Sequence, residues 1–145
     1  MGKINWNRVI LGGLVAGVII NIFEFVLHGA VLAQDMDAAV RALGREVGGR
    51  ELLMFLAWGF LVGIFAVWLY AAIRPRYGAG PGTAVKAALG AWVLRCVGPS
   101  MVQYAFNLYP SKLITVPLVA EIVIMILALV IGAAPYGEGE RATGA

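Results

Sequence analysis

Four apolar runs, each long enough to cross a bilayer, take up most of this chain and leave little else. A spanning helix needs roughly 20 apolar residues at about 1.5 Å rise each. Residues 9–32, 52–73, 87–107 and 113–134 meet that requirement. No stretch between them is long enough for a soluble domain, so residues 1–145 read as a single transmembrane domain. The expected fold class is all-α, an integral membrane four-helix bundle. Composition agrees, with 61% of residues hydrophobic and 13% charged, against about 45–50% and about 25% in soluble domains. This excludes a disordered chain, and the single cysteine excludes a disulfide scaffold. It also speaks against a soluble enzyme. The net charge of +3 sits between the apolar runs, a pattern suited to lipid headgroups and not to nucleic acid.

Four spans put both termini on one side. Lys3, Arg8, Arg74, Arg76, Lys86 and Arg141 lie on that side, and Arg41, Arg45, Arg50 and Lys112 on the other. The excess of basic residues predicts cytoplasmic termini. Trp6, Trp68, Tyr70, Tyr77 and Tyr136 fall at the same interface, where amphipathic rings prefer to sit. The first run is longer than a signal-peptide core of about 7–15 residues, and it carries Glu24 and His28, so it reads as a retained span.

The connection 33–51 is the longest. Met36, Val40, Leu43 and Val47 recur at helical spacing, Asp35 or Asp37 can cap, and Gly44 can end the helix. A short interfacial helix between spans 1 and 2 is expected there, with Asp37 and Arg41 paired across one turn. The Gly- and Pro-rich stretch 74–83 lacks the Walker ending and reads as a tight turn.

Span 1 is the informative one. At about 100° per residue, Gly13, Gly17, Asn21, Glu24 and His28 share one stripe, opposite Leu, Val, Ile and Phe. Gly13 and Gly17, like Gly59 and Gly63 on span 2, allow close helix approach. Span 3 adds Arg95 and Gln103, and span 4 adds Glu121. Asn21, Glu24, His28, Arg95, Gln103 and Glu121 therefore form the expected intramembrane polar cluster. An unpaired charge at mid-bilayer costs roughly 2.5–3.5 kcal/mol on insertion scales. Arg95 is accordingly expected to pair with Glu24 or Glu121. Pro99 predicts a kink beside Arg95, and Pro117 the first turn of span 4. No catalytic residues, cofactor or metal are expected, since one histidine with few partners is a weak ligand set.

Residues 3–27 (Lys-Ile-Asn-Trp-Asn-Arg-Val-Ile-Leu-Gly-Gly onward) and 58–81 (Trp-Gly-Phe-Leu-Val-Gly, running to Tyr-Ala-Ala-Ile-Arg-Pro-Arg-Tyr-Gly-Ala-Gly-Pro) resemble a group of small, uncharacterised bacterial four-span membrane proteins. The resemblance implies a bacterial cytoplasmic (inner) membrane and supplies no activity. Small multidrug transporters share the size and an acid in span 1, but their very short loops do not match residues 33–51. The microsomal glutathione-transferase group carries charges on its second span, and residues 52–73 have none. The expected partners are the lipid bilayer and a larger membrane complex or a second copy. The expected function is interaction, as an accessory subunit or self-associating bundle. The alternative is a small proton- or cation-coupled transporter using Glu24.

Overall fold

The computed structural model describes residues 3–136. Five helices follow one another: α1 (Trp6–Val31), α2 (Ala33–Ala42), α3 (Gly49–Tyr77), α4 (Pro81–Ala105) and α5 (Ser111–Ala133). All but α2 are long and apolar enough to cross a membrane. The fold is an all-α bundle, as the apolar runs require.

Local signals start and stop these helices. Asn5 caps α1, its Oδ1 accepting from the Arg8 amide at 3.2 Å. Glu51 accepts from the Gly48 amide at 3.0 Å, closing the start of α3. Pro81 stands at the first position of α4, where a missing N–H costs nothing. Gly44 (φ +67°) follows the end of α2, and Gly78 (φ +83°) and Gly80 (φ +126°) form the α3–α4 turn.

Three expectations need correction. Residues 74–77 are helical and not turn, with Pro75 inside the last turn of α3. There the proline removes only one bond near a helix end. Pro117 is the seventh residue of α5 and not in its first turn, because the helix begins at Ser111. Neither Asp35 nor Asp37 caps α2, whose N-cap is Leu32. Asp35 instead pairs with Lys112 at the start of α5, and Asp37 pairs with Arg41 at 2.8 Å, as the spacing predicts.

The four spans stand in a square, with α1 and α4 on one diagonal and α3 and α5 on the other. Helices α1 and α3 meet through glycine. A Cβ on Gly13 would lie 2.5 Å from the Ile64 Cα, and one on Gly17 2.8 Å from the Phe60 Cα. A Cβ on Gly63 would lie 2.9 Å from the Gly17 Cα, so the contact is reciprocal. Gly59 leaves room for the Asn21 side chain. On the other side of α1, Gly12 meets Gly132 of α5 backbone to backbone. Helix α4 presents Ala84, Ala87, Ala88 and Ala91, all buried.

The core lies in the half of the bundle nearer the termini, around Val9, Ala16, Ile20, Val67, Met125 and Leu129. Ile10, Leu11, Leu14 and Val18 point outward along α1, as a lipid-facing surface requires. In the opposite half Leu27, Leu32, Leu113 and Ile114 are buried, but long stretches of α3 and α4 are not covered. Residues 52–58 of α3 are exposed on every side, and Leu94, Met101 and Val102 of α4, with Phe106 just after it, are likewise uncovered.

Candidate functional site

Arg95 leaves the middle of α4 and reaches two other spans. Its Nη2 donates to Glu24 Oε1 on α1, and its Nη1 donates to Glu121 Oε2 on α5. Met125 Sδ lies 4.0 Å from the same Nη1. The second Glu24 oxygen, Oε2, is 2.8 Å from His28 Nδ1, one turn further along α1. Four ionisable groups from three helices thus form one chain: His28, Glu24, Arg95, Glu121.

Depth explains how they meet. Helix α4 begins at Pro81, six residues before the predicted span, so Arg95 lies roughly 21 Å from the termini side. Counting the same way, Glu24 lies roughly 27 Å in and Glu121 roughly 18 Å in. The guanidinium stands between the two carboxylates and can fork to both. Arginine suits this task, because its planar head carries donors pointing in two directions.

The chain runs from dry to accessible. Side-chain exposure rises from 4% at Glu121 through 12% at Arg95 and 22% at Glu24 to 33% at His28. Two carboxylates face one guanidinium, so charge balances when one proton is held by His28 or a carboxyl. His28 is the most exposed of the four and lies nearest the uncovered half of the bundle.

Both the Arg95 and the His28 segments carry a π turn. Leu32 N–H donates to Leu27 O at 2.8 Å, and Gly98 N–H donates to Val93 O, each spanning five residues. Pro99 has no N–H to return to Arg95 O, and the π turn is the backbone's accommodation of that loss. Single π turns inside helices recur at functional sites.

Asn21 and Gln103 do not join the ionic chain. The Asn21 amide donates to Gly17 O at 2.9 Å and to Leu56 O at 3.2 Å, tying α1 to α3. Gln103 lies eight residues beyond Arg95, roughly 12 Å along the axis, and its side chain has no hydrogen-bond partner among the described residues. Other ties have no single-sequence signal. Trp92 Nε1 donates to Leu118 O at 3.0 Å, joining α4 to α5. Asn5 N–H donates to the Tyr136 hydroxyl at 3.3 Å, which places both ends of the described chain on one side. Among the described residues, no group of three or more His, Cys, Asp or Glu side chains could hold a metal ion. Comparison with protein-family models, with curated proteins and with solved structures finds no match to this chain.

Proposed function

We propose that this multi-pass protein resides in a bacterial cytoplasmic membrane with both termini in the cytoplasm, and that it acts by binding other membrane proteins. It serves as an accessory subunit or as a self-associating bundle. The observation that carries this reading is the internal pairing of Glu24, His28, Arg95 and Glu121, in which each group has a partner within the chain. Such a network fixes helix register and uses up the charges found at mid-membrane depth among the described residues. The uncovered apolar walls of α3 and α4 then remain for contact with a neighbouring helix. The basic bias supports the orientation, although Arg141, one of its six members, lies outside the described residues. The resemblance of residues 3–27 and 58–81 supports the bacterial setting.

The test is reconstitution of separately labelled copies at high lipid dilution, alongside capture from native membrane patches. Energy transfer that survives dilution, or one stoichiometric partner chain lost in the Arg95→Leu variant, is the expected result. A dilution-sensitive monomer with no partner overturns the reading.

One observation favours a second reading, a proton-coupled transporter using Glu24. His28 is the most accessible member of the chain and touches Glu24 directly. Under that reading proteoliposomes show a proton flux that Glu24→Gln abolishes with the fold intact, because an amide cannot load and release a proton. Flux unaffected by Glu24→Gln removes it.

A further inference from the structure

At the termini side of the bundle, far from the ionic chain, a cavity of about 350 Å³ opens between the ends of α3 and α5 and the start of α4. Its size falls in the range of about 300–1,000 Å³ usual for small-ligand pockets. Arg74, Tyr70 and Tyr136 contribute hydrogen-bond donors to its lining, and no carboxylate among the described residues lines it. Arg74 supplies a guanidinium whose Nη1 is buried without a hydrogen-bond partner among the described residues. The guanidinium stacks over the Tyr136 ring, 5.4 Å from its centroid. The Tyr70 hydroxyl accepts from the Gly80 amide at 3.2 Å, and the Tyr136 hydroxyl accepts from the Asn5 amide. Each hydroxyl keeps its own proton free to donate. The start of α4, which has no side-chain cap, turns its positive end to the same space through Gly80 and Pro81.

A buried, unpaired guanidinium nitrogen is costly. Two hydroxyl protons beside it lack an acceptor among the described residues, and the start of α4 adds its positive dipole end. We propose that this cavity binds a phosphate oxyanion held by Arg74, Tyr70 and Tyr136. A tetrahedral phosphate offers acceptor oxygens in several directions, which matches donors converging from α3 and from the segment after α5. The position favours such a ligand too. Trp6, Tyr77 and Lys86 are exposed at the same end of the bundle, and Lys86 Nζ lies 4.5 Å from the Tyr77 ring centroid, an arrangement suited to headgroup depth. The phosphate comes from a lipid headgroup or from solution, and the two are separable by experiment.

The full chain is delipidated in detergent and titrated in two arms. Native mass spectrometry follows retention of phosphatidylglycerol, and thermal unfolding follows stabilisation by inorganic phosphate. Retained phosphatidylglycerol identifies the lipid source, and saturable stabilisation by phosphate without lipid retention identifies the free anion; either supports the proposal. Arg74→Gln weakens binding by about tenfold or more, the loss of a charge-assisted hydrogen bond. Arg76→Gln, exposed and outside the cavity, changes it by less than about twofold. Should Arg74→Gln fail to fold, Tyr70→Phe keeps the ring and removes one donor, weakening binding about threefold. Absence of both lipid and phosphate binding overturns the proposal, as does parent-like binding by whichever of Arg74→Gln and Tyr70→Phe folds. Equal losses from Arg74→Gln and Arg76→Gln also overturn it, since they reveal only general charge attraction. A gain in binding on changing Glu138 and Glu140 together to Gln overturns it as well, because the cavity then serves the chain's own carboxylates.

Discussion

Replacing Arg95 with leucine removes the one cation shared by Glu24 and Glu121. The cost differs for the two acids. Glu121, with 4% of its side chain exposed, loses its ionic partner, while Glu24 keeps His28 on its other oxygen. Removing one partner of a buried pair costs about 3–5 kcal/mol in soluble proteins. The unfolded state of a membrane protein still finds polar partners in the bilayer, which lowers the net effect. We expect a loss of about 3 kcal/mol, roughly a hundredfold in the folding equilibrium. Titration with sodium dodecyl sulfate in mixed micelles, followed by circular dichroism, reads this as unfolding at a lower detergent fraction. The triple variant Arg95→Leu, Glu24→Gln, Glu121→Gln recovers at least half of the loss, since neutral amides strand no charge. Arg95→Lys falls between, because an ammonium cannot fork to two helices in the same geometry. If Arg95→Leu unfolds with the parent, the network contributes nothing to stability. If the triple variant is no better than the single one, the loss comes from the packed arginine stem and not from stranded carboxylates.

Gly17→Ile destabilises by at least about 1–3 kcal/mol, because any Cβ there meets the Phe60 backbone; Gly29→Ala, with only ordinary contacts around it, serves as the neutral control in the same titration. Glu24→Gln stays within about 1 kcal/mol of the parent, since the amide oxygen still accepts from Arg95 and the charge count improves; a large loss indicates that the carboxylate charge itself holds α1 in place. Asn21→Ala removes the donor to Leu56 O and costs about 0.6 kcal/mol, the average for such interhelical bonds in membranes. A periplasm-active reporter fused after Ala145 is silent, and one inserted at residues 45–48 is active; the reverse pattern inverts the proposed topology.

The spans were legible because burial in lipid demands long apolar helices whatever the packing. The ends were less so, for reasons of chain chemistry. Pro81, Gly82 and Thr83 look like turn residues, yet Pro81 is well suited to a first helical position, and α4 starts there. That shift of six residues moves Arg95 from an apparent depth of roughly 12 Å to roughly 21 Å, beside both of its partners. The Glu24 and His28 pairing was readable because it is local, one turn along one helix. The Asn21 contact to Leu56 O was not, since a backbone carbonyl on another helix has no sequence signature. Gly13 and Gly17 stood out through their spacing. Gly12, adjacent to Gly13 and on a different face, meets α5 through a pairing that depends on the three-dimensional square.

The π turns show why a regular helical wheel describes only part of each span. Along an ideal α-helix, Leu27 and Leu32 lie about 140° apart, and one of them would face lipid. Both are buried, at 8% and 1% exposure. Bonding from Leu32 N–H to Leu27 O brings residues five apart onto nearly one face, and the chain enters α2 with both leucines turned inward. The stripe from Gly13 to His28 keeps its regular helical spacing over most of its length, because almost all of it precedes this change of phase. In α4 the irregularity begins at Val93 and encloses Arg95 itself, so periodicity carried past that point misplaces whatever follows. A helix that needed only to anchor in lipid would have no reason to carry Pro99 beside its one mid-membrane cation. The local break and the cation share one segment, and from it the Arg95 guanidinium bonds to α1 and α5.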